Sequence, residues 1–328
     1  MLHGAYSSGV AKKSIFFGPI AQLVERYTGS VEVSGSNPLR SNSDLFNMSE
    51  QECINCGQKT NLLPHAYGET IRGCPLCGGY QYTGQVGNIA ELYTEKYYNG
   101  DEYINYGLSA ATYKRNFVRK LKSIMAKVPE MKPDQMRVLE LGSATGDFMQ
   151  VLAEHGVNHA LGAEVSEYSR LTATKRGFRV IDPLAKGYMN EVHEFEPNLL
   201  CAWDVWEHLE RPAQVFRDLI AANPSLRLIA LTTVDSGAFI PRLRGTSWRQ
   251  FHPPTHLAYP TRKSFYDYLS SVSFDDVSIE SFGYYRPLAN YLAALLPSRR
   301  MVQSKWAFRI PFYLNLYDIQ LVLAKRKD

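Results

Sequence analysis

The sequence contains no run of eighteen apolar residues, so no membrane-spanning helix is expected from it. It also has no block of one charge. Its 36 Lys and Arg stand against 32 Asp and Glu, leaving a net charge of +4, and the basic residues are scattered, which argues against nucleic acid as a partner. Residues 1–20 are not expected to be a secretory leader, because Lys12-Lys13 falls between two weakly apolar stretches and no clear apolar core follows. Cysteine is scarce: four of the five form two close pairs, and Cys201 stands alone in an apolar run that reads as a buried strand. A cytoplasmic location is expected, and in such a chain paired cysteines point to metal rather than to disulfides. What the chain does have is apolar content, at 45%, enough for one large domain with a small appendage.

Residues 1–47 are rich in Ser, Gly and Asn and keep no sustained period. Two strings in them are peculiar. Ala21-Gln22-Leu23-Val24-Glu25-Arg26 is what a tRNA D-arm encodes when read in frame, and Gly35-Ser36-Asn37-Pro38 is what a T-arm encodes. Their separation matches that of the two arms. The expectation is a translated tRNA gene upstream of the true start, with Met48 opening the native protein; a genuine disordered tail is the alternative.

Periodicity organises the rest. Tyr113, Phe117, Leu121, Ile124 and Met125 recur at three and four, so a helix is expected, closed by Pro129 and Pro133. From residue 137 strands and helices alternate. Strands are expected at Arg137–Leu141, Ala160–Val165, Arg179–Ile181, Leu199–Trp203 and Leu226–Thr233, and two more at Asp276–Ser281 and Asp318–Lys325. Helices are expected at Asp147–Glu154, Tyr168–Arg176, Ala213–Ala222 and Arg262–Ser271. This order implies an α/β fold with a mostly parallel sheet covered on both faces. Pro287–Leu316, aromatic and apolar, is expected to be helical cover. Within it, Tyr291–Pro297 followed by Arg299-Arg300 reads as a lid, with a homodimer face or contact with a membrane or a lipid-linked acceptor as alternatives.

The densest chemistry lies in Glu140-Leu141-Gly142-Ser143-Ala144-Thr145-Gly146-Asp147-Phe148. A strand runs into a turn of small residues and then a helix start, which lets backbone N–H groups face a ligand. The pattern is E-x-G-x-A-x-G, without the third glycine that a dinucleotide pyrophosphate wants. S-adenosylmethionine has no phosphate, and a carboxylate at Glu164, after the second strand, suits its ribose hydroxyls. The alternative is a purely structural strand–turn–helix.

Residues 137–325 resemble a class I S-adenosylmethionine-dependent methyltransferase. The resemblance rests on Glu140 to Gly146, on Glu164, on Asp182 after the third strand, and on Trp203-Asp204-Val205-Trp206-Glu207-His208-Leu209 with Arg211-Pro212 after the fourth. That last block is similar to the D-V-x-E-H-x-x-x-P signature of the small-molecule and glycan branch; Ala144 replaces the usual second glycine. The resemblance implies a Rossmann-like seven-stranded sheet with its last strand antiparallel. It implies a cofactor site drawn from Glu140, Gly142, Ser143, Ala144, Gly146, Phe148, Glu164, Val165, Asp182, Trp203, Asp204 and His208. Tyr106, from a segment that also holds Tyr93, Tyr97, Tyr98 and Tyr103, is expected to reach the cofactor carboxylate or seal the pocket; packing of the linker helix is the alternative.

Cys53-x2-Cys56 and Cys74-x2-Cys77, each pair followed by a glycine, have the spacing of a closed tetrahedral zinc site, hence a structural one. Methyltransferases of sugar-modification pathways with an N-terminal zinc-ribbon and a Tyr-rich segment are similar in this respect. The expected division is a tail at 1–47, a zinc-ribbon at 48–88, a helical linker or lid at 89–133 and the methyltransferase domain at 134–328. Methyl transfer to oxygen or nitrogen often wants a base. His256 is the first candidate and His252 the second, in a loop after the fifth strand, against the alternative that they only shape the loop. The acceptor is expected to be a small molecule, a sugar, nucleotide sugar or related metabolite. A zinc-ribbon RNA methyltransferase and a non-catalytic binding module are the competing readings. N-terminal sequencing of the native protein should begin at Met48; a mature chain starting well upstream of it would refute the tRNA-gene origin of the first 47 residues.

Overall fold

In the computed structural model of this chain, residues 50–86, 106–295 and 308–327 are described. The 1–47 tail, Tyr93, Tyr97, Tyr98, Tyr103 and Arg299-Arg300 lie outside them, as does the side chain of Tyr106. Among the described residues no helix is long and apolar enough to cross a membrane.

The chain opens with a small all-β unit. Strands β1 (Gln51–Glu52) and β2 (Lys59–Thr60) pair, while β3 (Leu63–His65), β4 (Gly68–Gly73) and β5 (Tyr80–Tyr82) form an antiparallel meander. A long helix α1 (Tyr106–Lys127) follows, then the alternating part: β6 (Arg137–Leu141), α2 (Asp147–Glu154), β7 (His159–Ala163), α3 (Glu167–Lys175), β8 (Val180–Ile181), α4 (Tyr188–Phe195) and β9 (Leu199–Trp203). It continues with α5 (Pro212–Ala222), β10 (Leu228–Val234), α6 (Phe239–Arg244), β11 (Ala258–Tyr259), α7 (Arg262–Ser271) and β12 (Asp276–Ser281). The last elements are β13 (Tyr284–Pro287), α8 (Leu288–Leu295), β14 (Pro311–Leu314) and β15 (Ile319–Lys325).

Seven strands make the main sheet in the order β12-β15-β10-β9-β6-β7-β8, with β15 antiparallel to both neighbours. Every residue of β9 and β10 is buried, as continuous apolar runs such as Leu199–Trp203 require when both faces are covered. Alternation along β9 sorts its side chains. Leu200 and Ala202 join α4, α5 and α7 in one core, with Phe195, Phe216 and Phe265; Leu199, Cys201 and Trp203 join α1 and α2 in the other, with Leu121 and Phe148. The chain order reverses between β6 and β9, which places the crevice for a ligand at their carboxyl ends.

The region expected to be helical from Pro287 to Leu316 needs correction. Among its described residues only Leu288–Leu295 is helix; Pro311–Leu314 is a strand, paired antiparallel with Tyr284–Pro287. Aromatic residues supply the reason. Tyr285 packs across the ladder against Tyr313, the rings tilted with centroids 5.2 Å apart, and such pairs stabilise a pleated surface. Helix α4 and the short strand β11 are further elements that the periodicity of the sequence does not announce.

A buried ionic knot ties the end of the sheet to the loop before β11. Asp318 accepts from Trp248 Nε1 at 3.0 Å and from Arg249 Nε and Nη2 at 2.8 Å each. A bidentate pair of this kind is costly to break from one side, because the remaining charge stays buried. Asp318→Asn should lower stability by about 3 kcal/mol, read as a reduced urea midpoint at an unchanged m value; a midpoint equal to wild type would show that the knot carries little.

Candidate functional site

The turn after β6 is built to bring backbone close to a ligand. Gly142 and Gly146 lie at φ +66° and +85°, and even Ala144 lies at +45°. A Cβ on Gly142 would sit 2.5 Å from Val205 Cγ2, so no other residue fits there. Glu164, at the end of β7, fastens this turn: its Oε2 accepts from Ala144 N at 2.9 Å and its Oε1 from Ser166 N at 2.8 Å. Arg170 secures the next two strand ends, donating from Nη1 to the carbonyls of Glu164 and Val165 and pairing through Nη2 with Asp182 at 3.1 Å.

Three buried polar atoms face inward here with no hydrogen-bond partner among the described residues: Glu140 Oε2, Ser143 Oγ and Trp203 Nε1. Orphaned donors and acceptors are expensive unless something arrives to satisfy them. The unmet groups are a carboxyl oxygen, a hydroxyl and an indole N–H, which a cofactor bearing an amine, a carboxylate and hydroxyls can satisfy, and the residues present fit S-adenosylmethionine. Phe148 closes the floor, packed edge-on against Trp203 at 5.0 Å.

Beyond β9 the backbone turns sharply, with Asp204 at φ +57°. Its carboxylate accepts from Tyr284 Oη at 2.7 Å and lies 3.8 Å from the buried Lys120 ammonium. Lys120 also stands over the Trp203 ring at 4.7 Å. Burial holds the Lys120 ammonium below its ordinary pKa, opposed by the charges of Asp204 and Glu140. Burial pushes Glu140 well above the carboxylate range, and Lys120 works against that shift.

A histidine cluster occupies the adjoining loop. The rings of His208 and His256 are 4.6 Å apart and those of His252 and His256 3.8 Å apart. His208 Nδ1 is bonded to Thr255 O and His256 Nδ1 to Gln250 O, both at 2.9 Å. Glu207 accepts from Thr233 Oγ1 at 2.7 Å, and burial, then the Asp204 charge, raises it to about 8. The four cysteines also converge. Cys53 Sγ and Cys77 Sγ are 3.9 Å apart, Cys56 Sγ and Cys74 Sγ 4.0 Å, and all four ligand atoms fall within 4.8 Å of one another. Thiolates about 2.3 Å from a tetrahedral zinc would stand ~3.8 Å apart, so the set fits the ion.

The expected cofactor residues from Glu140 to Phe148, with Glu164, Val165, Asp182, Trp203 and Asp204, thus gather at one edge of the sheet, and His208 lies in the next turn beside His256 and His252. Asp182 is engaged locally, by Arg170 and by Leu184 N at 2.9 Å. Sequence reasoning missed Lys120, Tyr284 and Arg170. For Lys120 a signal existed: it falls three residues after Phe117 and four before Ile124, on the apolar stripe of α1. Tyr284 and Arg170 carried none.

Burial lowers His252 and His208 to about 4 from 6.5, so both are neutral in the fold at neutral pH. The unfolded chain takes up protons below about 6.5 that the folded chain refuses until about 4. Stability should therefore fall as pH drops through that window, by up to ~1.4 kcal/mol per pH unit for each histidine. His252→Gln should flatten the pH dependence of the urea midpoint between pH 6.5 and 5; an unchanged slope would mean that His252 is not held neutral.

The family model described as "Methyltransferase domain" matches residues 112–279, just over half of the chain. No curated protein matches the sequence. Among solved structures, the magnesium protoporphyrin IX methyltransferase of Synechocystis, with bound SAH, is similar at 12% identity and a TM-score of 0.45, covering 73% of this chain and 98% of that one. A possible histamine N-methyltransferase of Thermotoga maritima is similar at 14% identity and a TM-score of 0.42, covering 68% and 94%. A putative methyltransferase in complex with the Trm112 activator of Haloferax volcanii is similar at 10% identity and a TM-score of 0.45, covering 74% and 100%. With the family model matched from α1 into β12, this chain belongs to the methyltransferase-domain family and is a class I S-adenosylmethionine-dependent methyltransferase.

Proposed function

We propose that the protein methylates a small-molecule acceptor, a sugar, nucleotide sugar or related metabolite, and that its four-cysteine unit holds one structural zinc ion. The observation that carries the cofactor side is the trio of orphaned buried atoms, Glu140 Oε2, Ser143 Oγ and Trp203 Nε1, beside a turn that only glycine can make. Bound S-adenosylmethionine supplies a methyl group already activated on a sulfonium. The chain's own work is to bind, orient and exclude water. Glu164, fixed by two backbone donors, keeps lone pairs for ribose hydroxyls. Glu140 and Ser143 receive the amino-acid end, and Trp203 and Phe148 wall the site.

On the acceptor side, His256 is the proposed base, supported by His252. The Gln250 carbonyl fixes the His256 proton on Nδ1 and leaves the Nε2 lone pair free, while burial, then the neighbouring histidines, hold the ring well below its ordinary pKa. His208, bonded to Thr255, keeps the loop against the cofactor side. Asp204, held by Tyr284, marks the border between the two sides. The RNA reading gains nothing from Arg72, whose guanidinium bonds to the carbonyls of Glu69 and Ile71 in its own strand.

Calorimetry of the full chain should show binding of S-adenosylmethionine and of its demethylated product, at least tenfold weaker in Glu164→Ala, or about 1.4 kcal/mol. Absence of binding by either would overturn the reading, and an unchanged affinity in the variant would remove Glu164 from the site. Metal analysis of the same preparation should return about one zinc per chain, lost in Cys53→Ser.

A further inference from the structure

Past the carboxyl end of β10, where β15 begins, a small pocket open to solvent is lined by Arg249, Tyr284, Arg286, Tyr291 and Asp318, among others. Two guanidinium groups and a single carboxylate meet in it. Asp318 is fully committed: both its oxygens take the Arg249 fork, and one also takes the Trp248 indole. Arg286 is left without a carboxylate and without a hydrogen-bonded partner among the described residues. Around it stand Tyr113, Tyr284 and Tyr291, and the like charge of Arg249. Burial, and after it the Arg249 charge, holds the Arg286 guanidinium below its ordinary pKa. A folded chain seldom keeps a charge in such a place unpaired unless a ligand pairs with it.

Placement ties this pocket to the transfer site. Tyr284 and Arg286 are two residues apart on β13, so they share a face and both line the pocket. Tyr284 donates at its tip to Asp204, the strand-end acid beside the cofactor cradle. The strand that carries them is pinned to α1, since Asn116 accepts from Tyr285 N at 2.7 Å and donates to Tyr285 O at 2.9 Å. Arg286 is thus presented by a fixed strand, one side chain away from the border of the cofactor site.

We propose that this pocket is the anion subsite of the acceptor: Arg286 receives a carboxylate or phosphate group of the small molecule and so selects acidic acceptors. The planar guanidinium fork matches both oxyanions, and a half-buried setting strengthens each charge-assisted bond. The use made of the bound molecule rests on the methyl-transfer reading; the binding itself does not.

The test is thermal melting of the full chain with glucuronate, glucose 1-phosphate or glucose, at matched ionic strength, for wild type, Arg286→Lys and Arg286→Met. At least one of the two anions should raise the wild-type Tm by several degrees, saturably, while glucose leaves it unchanged; which anion protects tells carboxylate from phosphate. Protection should shrink in Arg286→Lys and vanish in Arg286→Met. Without ligand, Arg286→Met should melt at or above wild type, because an unpaired charge has been removed. The proposal is overturned if neither anion protects, if both variants are protected like wild type, or if Arg286→Met melts well below it, which would make the guanidinium structural. Calorimetry with S-adenosylmethionine on the same samples separates the two readings. Anion protection without cofactor binding would sink methyl transfer and leave the subsite, and the reverse result would sink the subsite alone.

Discussion

The short ladder between β5 and β11 is the contact on which the position of the histidine loop depends. Tyr80 and Gln81 of the four-cysteine unit pair with Tyr259 and Ala258, and Tyr82 N extends the contact to Leu257 O at 2.8 Å. Leu257 N in turn donates to Glu207 O at 2.7 Å. The loop with His252 and His256 is therefore held between the cysteine unit on one side and the turn after β9 on the other. Thr261 Oγ1 adds a bond to Cys77 O at 2.7 Å, so the second knuckle also caps the approach to α7. A small β unit with four cysteines at its centre buries too little apolar surface to fold firmly by itself. A metal at Cys53, Cys56, Cys74 and Cys77 would then stabilise not only the appendage but the position of the histidine loop, since β11, which follows that loop, is a strand of the cysteine unit's sheet.

The same region concentrates charge out of water. Lys120, Glu140 and Glu207 are almost fully buried, and Asp204 is held by Lys120 and Tyr284 in a left-handed backbone conformation. None of this is what packing alone would select, because each group gives up hydration that an apolar side chain would not need. Orphaned atoms and a strained turn in one crevice are the signature of a site whose partners arrive from outside. Low dielectric then makes every remaining dipole count for more when the ligand is present.

How far the sequence reveals this follows from the range of the interactions involved. The main sheet is legible because its strands are short apolar runs alternating with amphipathic helices: Arg137–Leu141, Leu199–Trp203 and Asp276–Ser281 coincide with their expected bounds. The cofactor turn is legible because glycines at Gly142 and Gly146 answer a local backbone need. Tyr284 is not, since its meaning comes from Asp204, eighty positions away in the chain. Arg286 is less legible still: an arginine between Tyr285 and Pro287 looks like an exposed loop residue until the β13–β14 hairpin and α1 enclose it. That hairpin itself was hidden because aromatic and apolar residues in Pro287–Leu316 suit a buried helix as well as a strand, and only cross-strand contacts such as Tyr285 on Tyr313 decide between them.

The arrangement of charge across the sheet edge explains why two unlike ligands can meet without exchanging places. Over β6, β7, β8 and β9 the strand ends carry four acids, Glu140, Glu164, Asp182 and Asp204, against two cations, Lys120 beside Asp204 and Arg170 on Asp182. A cofactor with a sulfonium and an ammonium but one carboxylate is cationic, and that rim favours it. Over β10 and β15 the balance reverses, because Arg249 neutralises Asp318 and Arg286 remains. An acidic acceptor is drawn there and repelled by the carboxylates next door. Between the two zones stands the Tyr284–Asp204 bond, a neutral donor on an acid, which belongs to both walls. Discrimination of this kind requires no contact with the reacting atoms. It is set by which residues the hairpin and α1 bring to the edge of the sheet, and so the proposed anion subsite rests on the part of the molecule least evident in the sequence.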